Sequence, residues 1–229
     1  MNVRILGISG TPIKDGNCDT LVREALKAAE EAFEGVETEF ITMADKEVAV
    51  CTHCQWCIEN RAPCKVKDDF HPIYEAMQRA DGMVLGGPTW DLTLAPHLVN
   101  LVSRTRESTF FHHRFRNLPA GALTLGWFGV GMEWAISVIY SLIQTLEMFP
   151  VAHATAVASK RAYGQRPDWL DNGVLDDFYG RVRSQMVGRK VAEVARMMKY
   201  AREAGLELPR RSQKEKVYVG GVWRNKDEV

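Results

Sequence analysis

Residues 51 to 64 read CTHCQWCIENRAPC, a stretch that gathers four of the chain's five cysteines. Disulfides between such close neighbours are strained and, where they form, usually catalytic. A thioredoxin-type pair uses two sulfurs and would leave two without a role. Structural zinc takes two well-separated pairs on two knuckles. Here the spacing is C-x2-C-x2-C-x6-C, which puts Cys51, Cys54 and Cys57 on one tight turn and leaves Cys64 to close a cage, as in ferredoxin-type runs. No second set follows, and Pro63 precedes the last cysteine. The reading is a single [4Fe–4S] cluster held by Cys51, Cys54, Cys57 and Cys64, with zinc as the competing occupant. His53 and His71 are close enough to be alternative ligands, but four thiols suffice.

Three further stretches carry chemistry. SGTPIKDGNCDT, Ser9 to Thr20, offers the hydroxyls of Ser9, Thr11 and Thr20, the Asn17 amide and backbone N–H groups opening onto a helix N-terminus. Those donors suit a phosphate, although the loop is neither a Walker A nor a G-x-G-x-x-G sequence. An ordinary capped turn is the competing reading, and Cys18 reads as loop packing. GGPTWD, Gly86 to Asp91, combines glycines that let backbone approach a ligand, a turn fixed at Pro88, and an aromatic face at Trp90 on which a flat ring could stack. GWFGVGMEW, Gly126 to Trp134, misses the dinucleotide fingerprint but supplies a third glycine- and aromatic-rich loop.

These loops need a scaffold that brings them together. The 229 residues carry 29 basic and 29 acidic side chains, which removes the usual electrostatic reason to expect a nucleic-acid partner. No apolar run approaches the roughly 20 uncharged residues of a membrane span. An odd number of cysteines without a signal-like leader points to a reducing compartment, the cytoplasm by default. Short apolar runs, VRILGIS, GMVLGGP, GALTLGWFG and VAHATAVAS, and the alternating ETEFITM are interspersed with five segments of helical period, the last over 175–204. That alternation predicts an α/β fold, an open five-stranded parallel sheet with right-handed crossovers. Ligands then sit beyond the carboxyl ends of the strands, where all three loops fall. Residues 1–205 form this domain, with the cysteine segment at 48–68 inserted after the second strand. Residues 206–229 read as an extension whose apolar patch, Val217, Tyr218, Val219, Val222 and Trp223, docks on the domain or on a neighbouring subunit.

SGTPIKDGN, followed by CTHCQWCIENRAPC and KVKDDFHPIYEAMQRADGMVLGGPTW, resembles the iron–sulfur flavoprotein family of the flavodoxin-like NAD(P)H:FMN reductase superfamily. The match runs from about Val3 to Ala158, and its most specific element is the compact cysteine motif. The resemblance implies a flavodoxin-like doubly wound sheet that binds FMN, with Ser9, Thr11, Asn17 and Cys18 around the phosphate. Lys14 stands in for an arginine that relatives often carry where this chain has Ile13, and Cys18 replaces their usual threonine. The flavin ring would lie against Pro88, Thr89 and Trp90, with Gly129, Gly131 and Glu133 nearby. The implied activity is electron transfer between a one-electron carrier, ferredoxin by expectation, and a small-molecule acceptor, in a homo-oligomer (dimer or tetramer). No acid–base residue is singled out. Two other readings compete: an NAD(P)H-dependent FMN or quinone reductase with a peripheral cluster, and a non-enzymatic, zinc-stabilised binding protein.

Overall fold

The computed structural model describes residues 2–160, 168–206 and 216–225. The apolar runs become strands β1 (Val3–Ser9), β2 (Val36–Thr42), β3 (Gly82–Trp90), β5 (Pro119–Gly126) and β6 (Phe149–Val157), all parallel in the order β2-β1-β3-β5-β6. This is the flavodoxin-type order, whose ligand crevice opens between β1 and β3, where the connections change direction. A sixth strand departs from the expectation of five. β4 (Thr93–Leu94) pairs antiparallel with the end of β3, Trp90 opposite Thr93. β3 therefore runs on through Pro88 instead of turning there. Pro88 has no N–H to lose, and near the strand's end that is tolerated. The turn falls at Asp91 and Leu92, with φ of 42° and 66°.

Helices cover both faces. α1 (Asn17–Ala32) and α6 (Phe178–Glu203) pack on one face over Val22, Ala25, Val84, Leu123, Val187 and Val191. α3 (Phe70–Arg79), α4 (His97–Ser103) and α5 (Met132–Thr145) cover the other over Ile8, Phe70, Met77, Leu85 and Ile139. Their apolar positions recur at helical spacing, so each buries one stripe and leaves charged residues outside. α4 is shorter than the periodicity of APHLVNLVSRT predicts. The chain then leaves it and forms a π-helical turn at Ser108–His112, of the kind that often marks functional sites. A four-residue helix, α2 (Trp56–Glu59), lies inside the cysteine segment.

In the extension, β7 (Lys216–Val219) and β8 (Val222–Asn225) form a hairpin. Val219 and Val222 are exposed, and the side chains of Val217, Tyr218 and Trp223 lie outside the described residues. Among the described residues no helix is long and apolar enough to cross a membrane.

Candidate functional site

The first loop is built around the start of α1. Gly10 N–H donates to the Gly86 carbonyl at 2.7 Å, which ties the loop to β3 across the crevice. Gly16 stands at the N-cap without a side-chain cap, so the helix presents unsatisfied N–H groups and the positive end of its dipole. Thr11 is buried, and its Oγ1 accepts from Ile13 N–H at 3.2 Å. Lys14 lies on the rim, 60 % exposed, and pairs loosely with Asp45 at 3.4 Å. Asn17 has a structural duty: its Oδ1 accepts from Val174 N–H at 2.9 Å, latching the loop to the segment after β6. Ser9 and Cys18 are turned inward. Burial pushes the Cys18 thiol up to about 12, a rise that the neighbouring Ser9 hydroxyl only partly offsets. Cys18 therefore packs beneath the loop instead of facing a ligand. Asp19, which local sequence does not single out, is fully buried and accepts from Asp15 N–H at 2.8 Å.

The second and third loops meet at the carboxyl ends of β3 and β5. Thr124 Oγ1 donates to the Gly87 carbonyl at 2.8 Å and lies 3.4 Å from Thr89 Oγ1, locking the end of β3 onto β5. Trp90 is 45 % exposed, and its ring meets His97 edge-on at 6.0 Å. Gly131, at the start of α5, sits so close to the Asp91–Leu92 turn that an added Cβ would lie 2.5 Å from Leu92 Cα. Gly129 has a left-handed φ of 87°, and Glu133 is exposed in the first turn of α5. The structure thus gathers Thr11, Asn17, Pro88, Thr89, Trp90, Gly129, Gly131 and Glu133 along one sheet edge. Trp169 joins them unannounced, its ring 6.4 Å from that of Trp127. The loop that carries it returns to this edge through Leu170 N–H, which donates to Ala158.

The cysteine segment stands beside α4 and the start of α3. Cys51, Cys54, Cys57 and Cys64 are all free thiols, and all four line one cavity together with Ser103, Arg104 and Arg106. Gln55 and His53 take left-handed φ values of 63° and 55°, which curl the backbone around that cavity. The sulfurs do not converge on one point: among the described residues no three His, Cys, Asp or Glu groups are gathered to hold a single metal ion. Zinc would need its sulfurs about 2.3 Å from one centre, whereas an iron–sulfur cube carries each thiolate on a separate iron. A four-thiol lining with basic groups behind it fits such a cube by donor chemistry. Burial raises the Cys57 thiol above its ordinary range, and Arg106 works in the opposite direction. His53 hydrogen-bonds Gln55, and His71 bonds the Val66 carbonyl at 3.1 Å.

α4 joins the two regions. His97 at its start touches Trp90, while Ser103 and Arg104 at its end line the cysteine cavity. Between them Asn100 Nδ2 donates to the Val48 carbonyl. Beside this helix runs a groove of about 650 Å³ lined by Lys46, Val50, Lys67, Pro96, His97 and Asn100. His97 Nδ1 and Asn100 Oδ1 are buried without hydrogen-bond partners, and burial lowers the His97 pKa. No sequence signal separates this histidine from an ordinary helix-start residue.

Residues 3–162 match the family model described as NADPH-dependent FMN reductase. An iron–sulfur flavoprotein of Methanocaldococcus jannaschii is 34 % identical over 204 residues, covering 86 % of this chain and all of that relative. Among solved structures, RosB with a bound riboflavin-phosphate intermediate superposes with a TM-score of 0.64 at 17 % identity, over 95 % of this chain and 92 % of that one. A WrbA-like flavodoxin from Agrobacterium tumefaciens gives 0.54 at 11 %, over 86 % and 99 %.

Proposed function

This chain belongs to the NADPH-dependent FMN reductase family and to the iron–sulfur flavoproteins that share its fold, and from that premise we propose that it passes electrons between a ferredoxin-type one-electron carrier and a small-molecule acceptor. By family it is a flavin-dependent oxidoreductase. The proposed cofactors are FMN at the β1/β3 crevice and a [4Fe–4S] cluster on Cys51, Cys54, Cys57 and Cys64. When both are bound, the cluster supplies single-electron exchange and the flavin converts between one- and two-electron steps.

One observation carries the reading: four thiols line one cavity at the end of the same helix whose start touches Trp90. From His97 to Ser103 is six residues, about 9 Å along the axis at a rise of about 1.5 Å per residue. The chain's own residues divide the work. The uncapped start of α1, with Thr11 and Lys14, receives the FMN phosphate. Pro88, Thr89 and Trp90 bound the ring on one side, and Gly129, Gly131 and Glu133 on another. Arg104, Arg106 and Lys65 offset the negative charge that four thiolates bring to the cavity. Trp134 and Trp169, 71 % and 56 % exposed near this edge, are apolar surface suited to burial against a second copy in a homo-oligomer. Five free thiols fit a reducing compartment such as the cytoplasm.

The test is purification without air, followed by measurement of iron, acid-labile sulfide, zinc and flavin. Iron and sulfide in equal amounts beside FMN are expected. Cys57→Ser should lose iron and sulfide while much of the FMN remains. A colourless, zinc-loaded protein would overturn the electron-transfer reading. Rapid reduction by NADPH without a protein carrier would instead make the nicotinamide the electron source and the cluster peripheral.

A further inference from the structure

Arg104 heads the largest side chains that are fully buried among the described residues, with its side chain 1 % exposed. It follows α4 directly, and its guanidinium lies over the Phe70 ring, 4.5 Å from Cζ to the centroid. Nη1 donates to the Asp68 carboxylate at 2.5 Å and to the Ala49 carbonyl at 3.3 Å. Nη2 donates to the Val66 carbonyl at 3.1 Å. Ala49 stands two residues before Cys51, and Val66 two residues after Cys64. One planar fork thus grips both ends of the cysteine segment, a geometry that a lysine ammonium cannot reproduce.

Three of the five guanidinium N–H donors are thereby engaged, and Nε–H is not among them. Arg104 Nε is buried and has no hydrogen-bond partner. A buried N–H without an acceptor is costly and rare in native proteins, so its place needs a reason. The guanidinium lies beside the Cys64 thiol and forms part of the wall of the four-cysteine cavity. An anionic, sulfur-rich occupant would supply the missing acceptor. Hydrogen bonds and positive charge at a cluster's sulfurs favour its reduced, more negative state.

We infer that Arg104 is a positioning residue for the cluster: it clasps the two ends of the cysteine segment and directs its Nε–H at the cluster's sulfur face, at Cys64, raising the cluster's reduction potential. This rests on the cluster reading above.

The experiment uses the full chain purified without air, with two readouts, iron and sulfide per chain and the cluster midpoint potential from an EPR-monitored redox titration. Arg104→Met alone would strand the Asp68 carboxylate, so it is combined with Asp68→Asn and compared with Asp68→Asn alone. Arg104→Lys is measured alongside, since it keeps the charge but loses Nε and the fork. The double variant, where it holds a full cluster, should titrate at a more negative potential than Asp68→Asn. Arg104→Lys should also shift negative and should lose iron faster on gel filtration. If the double variant folds with its FMN but does not load iron, the shifted potential of Arg104→Lys still carries the inference. A fully loaded variant of either kind at its reference potential would overturn it. Wild-type protein without iron and sulfide would instead sink the cluster reading, a result that no Arg104 variant can mimic.

Discussion

Gly129 and Gly131 allow a clean separation of two costs. Both have left-handed backbone, φ of 87° and 78°, so alanine at either position costs about 1–2 kcal/mol in backbone energy. Their surroundings differ. A Cβ on Gly129 would meet Met132 Cε at 3.6 Å and Val157 Cγ1 at 3.7 Å, ordinary contacts. A Cβ on Gly131 would lie 2.5 Å from Leu92 Cα and 2.8 Å from both its carbonyl carbon and oxygen, all backbone atoms. Relief requires moving the Asp91–Leu92 turn away from α5, a further cost of about 1–3 kcal/mol by analogy with overpacking in cores. Gly131→Ala should therefore destabilise the apoprotein by about 1–3 kcal/mol more than Gly129→Ala, or roughly 5- to 150-fold in the unfolding constant. Urea denaturation followed by circular dichroism measures the difference. A fluorescence titration with FMN tests its functional side, because the displaced turn carries Trp90 on its flank. Equal destabilisation by the two alanines would refute the contact argument, and a larger loss at Gly129 would refute the geometry outright.

Asn17→Ala leaves Val174 N–H without its acceptor, which should cost about 1 kcal/mol or more and weaken FMN. Asn17→Asp keeps the acceptor and should hold the melting temperature while weakening FMN by charge repulsion. An aspartate variant with wild-type FMN affinity would exclude a phosphate at this helix start. Burial alone would raise the Asp68 carboxyl, but hydrogen bonds from Arg104, Ala49 N–H and Phe70 N–H outweigh it and hold its pKa below the ordinary range. Its contribution is thus present above the unfolded value of about 3.9 and lost as pH falls through the lower folded value. Apoprotein melts between pH 6 and 3 should fall less steeply for Asp68→Asn than for wild type, and parallel acid limbs would contradict this. Iodoacetamide and mass counting should give four labels on native apoprotein and a fifth only after unfolding, because Cys18 is buried with its pKa near 12. Rapid native labelling of Cys18 would show that the loop opens.

That four cysteines line one cavity follows from local determinants, since two-residue gaps and a six-residue gap keep them close together. The strands β1, β3 and β5 were readable for a similar reason, since buried parallel strands are apolar over nearly their whole length. Features made by distant contacts were not. Arg104 sits at the end of APHLVNLVSRT, which reads as a helix, and only the approach of Ala49, Val66 and Asp68 makes it a buried clasp. Cys18 could face either a ligand or the core until α1 was docked on β3. GGPTW looked like a turn because proline and glycine usually mark one. β5 pairs Pro88 with Leu125, and β4 carries the strand on to Trp90. Trp169 carries no local signal at all, since its role depends on where the chain returns after β6.

The latch between Asn17 and Val174 has a consequence for how the protein is made. The loop that starts α1 leaves a ribosome well before its partner, which follows 157 residues later. At about 5–20 residues per second the wait is roughly 8–30 s. α1 faces the same delay over its packing face, because Gly188 of α6 presses so close to Ala25 that a Cβ there would lie 1.8 Å from the Ala25 carbonyl oxygen. The cysteine segment and its Arg104 clasp are complete about 70 residues before Val174 is made. The parts of the cysteine cavity are therefore made before the crevice has its latch.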